Sequence, residues 1–158
     1  MANDKGLWAN LHHALEQDLE TSQQLCQTLE QERKALESRD YETFQPLIRK
    51  KSELLNQLEI HASERSTLLQ RHGYQDEKST LAAAKSQAPL VAKSWLKLAG
   101  QWARCQELND INERMAQRTR LVVGQVLEMI RGKAGGTCTY TAKGATQQNG
   151  TGQSITSA

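Results

Sequence analysis

Aromatic residues make up 4% of this 158-residue chain, with a single Phe. That scarcity excludes a thick globular core filled by large rings. Cysteine is also sparse: Cys26, Cys105 and Cys138 stand far apart, and no C-x-x-C pair occurs. An odd, scattered set argues against a disulfide framework and fits a reducing compartment. The net charge of +2 is too small to point to nucleic acid or a membrane surface. No stretch approaches the roughly 18 apolar residues needed to span a bilayer. The opening MANDKGLWANLHHALEQDL has no apolar run of signal-peptide length, so a cytoplasmic protein is expected. A Gly-rich phosphate loop, a Ser/His/Asp set and an H-x-x-x-H pair are all missing, which argues against an enzyme and against a metal or cofactor.

What the chain does have is Gln, 17 in all, and 24% charged residues, a composition suited to long solvated helices with narrow apolar seams. Residues 1–40 hold eight acids and four bases, whereas 76–131 hold nine bases and six acids. Opposite signs on the first and last helices favour their pairing, although each surface pair contributes little.

The periodicity predicts three long helices. The first runs from about Asp4 to Glu37, with Trp8, Leu11, Leu15, Leu19, Leu25, Leu29 and Leu36 on one side and Ser22 and Glu32 interrupting them. Asp40 is placed to cap the second. In that helix Tyr41, Ile48, Leu55, Ala62 and Leu69 recur every seven residues, with Phe44 and Leu58 interleaved and Leu47, Leu54 and Leu68 widening the stripe. Pro46 predicts a kink or a later true start, and Gly73 an end near His72. Residues 74–89 read as a connector in which LAAAK could form a short helix. The third helix spans about Pro89 to Arg131, its seam running through Val91, Trp95, Leu98, Trp102, Cys105, Asn109, Asn112, Ala116, Thr119, Val123, Val126 and Ile130. Gly132, Gly135 and Gly136 should stop it, leaving a Gly/Thr/Gln-rich tail without periodicity. Short connections make neighbours antiparallel. The expected fold is all-α: an elongated antiparallel three-helix coiled coil over 1–131, with a disordered polar tail over 132–158.

Such a chain offers surfaces rather than chemistry. His12 and His13 are adjacent on a helix and point about 100° apart, so they are poorly placed to chelate one ion. His61 lies in EIHASERS, without the Lys and Gly that follow a phosphotransfer histidine, and reads as a solvated helix-face residue. Trp95 and Trp102, one heptad apart, read as core, and Arg114, Arg118 and Arg120 as a solvated face that could also steer an acidic partner. Asn109 and Asn112 fall on the seam, where a polar pair either fixes helix register or forms a notch shared with a partner. In LVVGQVLEMI, residues 121–130, seven of ten residues are apolar. Val122, Val123, Val126, Leu127, Met129 and Ile130 fill an arc of roughly 160°, against the ~100° that one-sided packing uses, and Leu121 lies outside it. Either both neighbouring helices cover this stretch, or part of it is left for a partner helix, with Met129 as an adaptable contact.

Two stretches carry a resemblance. Residues 35–59, ALESRDYETFQPLIRKKSELLNQLE, and 107–130, ELNDINERMAQRTRLVVGQVLEMI, together resemble the FlgN family of flagellar export chaperones. Ile48, Lys51, Leu54 and Leu55 match its Leu-x-x-Lys-x-x-Leu-Leu pattern. Leu108, Asn109, Asn112 and the Leu121–Ile130 run match its later signature, with Glu113 where the family often has Gly. TYTAKGAT, residues 139–146, matches a Tyr followed shortly by Gly. The resemblance implies a cytoplasmic type III export chaperone that binds the C-terminal helical segments of hook–filament junction proteins. It would prevent their premature assembly and deliver them to the export apparatus, partly through a coiled-coil escort protein. It also implies a binding part toward the C-terminus, which agrees with the apolar excess of Leu121–Ile130. The expected client surface is therefore Leu121, Val122, Val123, Val126, Leu127, Met129 and Ile130, with Tyr140 of the tail closing over it. The competing class is a structural coiled-coil spacer or scaffold acting by self-association, and a His61 phosphotransfer domain is a distant third.

Overall fold

Helices account for nearly every residue from Asp4 to Thr137. The computed structural model describes residues 4–137 of the backbone and the side chains of 5–132. Its elements are α1 (Asp4–Ser38), α2 (Tyr41–Arg71), α3 (Glu77–Gln87) and α4 (Pro89–Thr137), and no strand occurs among the described residues. The expectation of three helices is thus corrected to four.

Local chemistry explains each boundary. At the end of α1 the Arg39 N–H donates to Leu36 O and the Asp40 N–H to Ala35 O, a Schellman arrangement that places Arg39 in the left-handed region at φ 56°. Asp40 then caps α2, accepting from the Thr43 N–H at 3.1 Å and the Thr43 hydroxyl at 2.6 Å. That hydroxyl bond, with the backbone bond behind it, holds the Asp40 carboxyl below its usual range. Because the cap is in place, α2 begins at Tyr41 and runs on through Pro46, without the later start that Pro46 suggested. Proline removes only the bond to the carbonyl four residues back, and Glu42, which carries it, is exposed to water. At the other end of α2, Gly73 takes φ 84°, with its N–H on Gln70 O and the Tyr74 N–H on Leu69 O. Asp76 caps α3 through the Ser79 N–H at 2.7 Å, and this backbone bond lowers the Asp76 carboxyl in turn. Cap plus Ala-rich run makes a helix of what first reads as a connector. In α4 the glycines at 132, 135 and 136 lie inside the helix rather than ending it at Arg131. The tail beyond Thr137, including Tyr140, lies outside the described residues.

The chain divides into two compact units, Met1–Met115 and Ala116–Ala158. In the first, α1 is the central element. Asp18 of α1 meets His61 and Arg65 of α2, and Glu32 meets Lys51, so α1 and α2 are antiparallel. Trp8 Nε1 donates to Gln87 Oε1 next to the start of α4, the Ser94 hydroxyl donates to Glu16, and Asn112 reaches Leu29. Both numbers rise together, so α1 and α4 run parallel. The exposed Arg104–Glu30 pair at 2.7 Å links the acidic first helix to the basic last one.

Two apolar clusters lie along α1. One gathers Leu7, Trp8, Leu11 and Leu15 with Leu69, Ala84, Val91 and Ala92. The other gathers Leu25, Cys26 and Leu29 with Leu54, Leu58 and Cys105. Burying each Leu contributes about 1.5–3 kcal/mol relative to leaving it in water. Buried Asp18 and Ser22 separate the clusters. Within the second, Cys26 and Cys105 are joined as a disulfide, their Cα atoms 5.3 Å apart across 79 residues of sequence. This corrects the reading of the odd, sparse set as arguing against a disulfide framework: two of the three cysteines are bridged. Linear spacing carries no information about a bridge created by helix docking.

Candidate functional site

In α4 every described residue from Arg120 to Gly132 is exposed. Leu121, Val122, Val123, Val126, Leu127, Met129 and Ile130 are each between 47% and 67% exposed. A helix stabilised by its own packing hides its apolar side. Here seven large apolar side chains within one ten-residue stretch face water, a continuous apolar run rather than scattered exposed residues. Arg118, Arg120 and Arg131 are exposed beside them. Tyr140, expected to close over this strip, is outside the described residues.

The two asparagines part company. Asn112 is 2% exposed, and its Nδ2 donates to Leu29 O at 2.8 Å and Glu32 Oε2 at 2.9 Å, crossing from α4 to α1. The other oxygen of Glu32 accepts from Lys51 Nζ at 2.8 Å. Glu32, itself buried, thus ties α2 and α4 to one point on α1. Asn109 is half-buried.

The remaining candidates fall elsewhere. His61 is not a solvated helix-face residue: it is half-buried, with Nδ1 2.9 Å from Asp18 Oδ1. Asp18 also pairs with Arg65. His12 Nδ1 lies 3.5 Å from the Ser94 hydroxyl, and no group of three metal-ligating side chains forms among the described residues. Trp95 is half-buried, donating from Nε1 to Glu77 at 2.9 Å, with the Arg65 guanidinium 5.9 Å from its ring. Trp102, read as core, is instead 40% exposed.

One feature escaped the sequence. The buried residues of α2 are Leu47, Leu54, Leu58 and Leu69; of the expected heptad line Leu69 is buried, whereas Tyr41, Ile48, Leu55 and Ala62 are exposed. Leu55 and Ala62 enter a groove of about 600 Å³ between α2 and α4, lined also by Leu15 and Asp18 of α1, by Tyr74, Gln75 and Asp76 of the connection after α2, and by Glu77 and Thr80 of α3. The signal was present in the width of the α2 stripe, which exceeds what one neighbour covers.

The model of the FlgN protein family matches residues 1–148. No curated protein and no solved structure matches the chain. No helix of the described residues is long and apolar enough to cross a membrane. With a family match over nearly its whole length, the chain belongs to the FlgN family, the cytoplasmic, non-enzymatic flagellar export chaperones of hook-associated proteins.

Proposed function

We propose that the strip of α4 formed by Val122, Val123, Val126, Leu127, Met129 and Ile130, with Leu121 at its edge, receives the apolar face of a C-terminal helix of a hook–filament junction protein. The observation that supports this reading is the strip's exposure in the free chain. Two helices that each show a surplus face gain by covering one another, the helix-on-helix mode of recognition. Covering the client's helix prevents premature assembly, and handing it to the export apparatus through an escort protein completes the cycle. Tyr140 closes over the bound helix, and its segment's ordering entropy keeps affinity moderate and release possible. Asn109 and Asn112 act in helix register, and Asn112, tied to Leu29 and Glu32, is the better placed of the two.

The test is Val126→Asp, assayed by calorimetry against a purified hook-associated protein. Losing one valine from the interface removes about 2 kcal/mol, roughly thirtyfold in Kd, and a buried carboxylate removes more. Binding should disappear while helicity by circular dichroism stays near wild type, since Val126 is 47% exposed. Unfolding of the variant, or unchanged binding, contradicts the reading.

A further inference from the structure

We propose that the groove between α2 and α4 is a second docking site, taking an amphipathic helix whose apolar stripe is bordered by Lys and Arg, supplied by a partner protein other than the client on the Leu121–Ile130 strip. The shape of the occupant follows from the wall. Leu55, Ala62 and Leu69 follow each other at seven-residue spacing in α2, and Trp95, Leu98 and Trp102 face them from α4. A heptad seam open on one side is the complement of another helix. The wall from Leu55 to Leu69 extends about 21 Å, or four turns of an occupant roughly 10 Å across. Trp102 and Leu55, 40% and 41% exposed, are the large side chains such a helix would cover.

The charge of the occupant follows from the lining. Glu59, Asp76 and Glu77 border the groove, while the one guanidinium in its lining, that of Arg65, is paired with buried Asp18. Glu53 adds a further carboxylate in the shallow pocket adjoining Leu55 and Glu59. Glu59 has no ion-pair partner among the described residues. An apolar trough with carboxylates along it selects Lys- and Arg-flanked helices and repels acidic ones.

The experiment uses the full chain and two fluorescent synthetic helices of about four turns. They share one leucine stripe and are flanked by Lys in one and Glu in the other. Anisotropy should show the Lys helix binding at least about tenfold more tightly, with an affinity that falls as salt rises. Ala62→Trp, an exposed position that fills the trough, should abolish this binding, and Glu59→Lys should weaken it without altering the groove's apolar walls. Val126→Asp should leave it intact, which separates this site from the client strip. Equal binding of the two helices, or indifference to both groove variants, overturns the proposal. Loss of binding in Val126→Asp also overturns it, by moving the helix to the strip. So does a wild-type dimer in sedimentation that Glu59→Lys dissociates, which would give the groove to a second copy of the chain.

Discussion

Arg39 holds a backbone conformation that L-residues avoid, φ 56°, because the Schellman end of α1 requires it. The left-handed region costs a side-chain-bearing residue about 1–2 kcal/mol, and the Arg39 side chain is exposed to water. Arg39→Gly is therefore expected to stabilise the first unit by roughly 1 kcal/mol in urea unfolding; a destabilised variant would show that the Arg39 side chain contributes something else. Asn112 makes the opposite case. Removing its amide leaves buried Leu29 O and Glu32 short of a donor. Asn112→Ala should lower stability by about 1–3 kcal/mol, measured the same way, and a change within about 0.5 kcal/mol would mean that water replaces the amide. Residue-level legibility was uneven. Asp40 and Gly73 announce their roles, because capping and left-handed ends select those residue types. Arg39 announces nothing, since an unfavourable residue at a helix end is invisible until the bonds around it are known.

Among the elements, the long helices were legible because each carries an apolar period, but the faces they use were not. The Tyr41–Ile48–Leu55–Ala62–Leu69 line, with Phe44 and Leu58 interleaved, reads as the seam of α2; Leu58 and Leu69 are buried as expected, but toward the start of the helix the buried positions are Leu47 and Leu54, one residue off that line. Adjacent residues on a helix lie about 100° apart, so a wide stripe leaves the docking angle undetermined until the partner's surface is fixed. In α4, Cys105 and Asn112 keep their seam places while Trp102 turns outward. The fourth helix was read only as a possible short helix at LAAAK within a connector, because 74–89 lacks a strong apolar period; the Asp76 cap was the missing signal. The Cys26–Cys105 link was missed because it exists only once α1 and α4 lie side by side in parallel. It predicts that a reducing agent lowers Tm by an amount corresponding to about 2–4 kcal/mol, and that the agent has no effect on Cys26→Ser. An equal Tm with and without reductant in the wild type would show the bond to be absent in solution.

For the whole molecule, the family match over residues 1–148 makes the chain a flagellar export chaperone of hook-associated proteins, and the unshielded strip on α4 is the surface proposed for its client. Its chaperone class was legible because the paired asparagines and the apolar helix end stand in the family's order. The strip's surplus was legible as an arc too wide for one-sided packing. Whether neighbours covered that arc depended on tertiary structure, and the exposure of Leu121–Ile130 answers it for the free chain. The central claim is that this strip, rather than the α2–α4 groove, is where the client's C-terminal helix is held. Hydrogen exchange of the full chain, alone and with a purified hook-associated protein, measures it most directly. The account predicts that amides of 121–130 exchange quickly in the free chain and slow by at least about tenfold in the complex, with the groove segment 55–69 unchanged. Protection that arises at 55–69 while 121–130 continues to exchange at its free rate would contradict it.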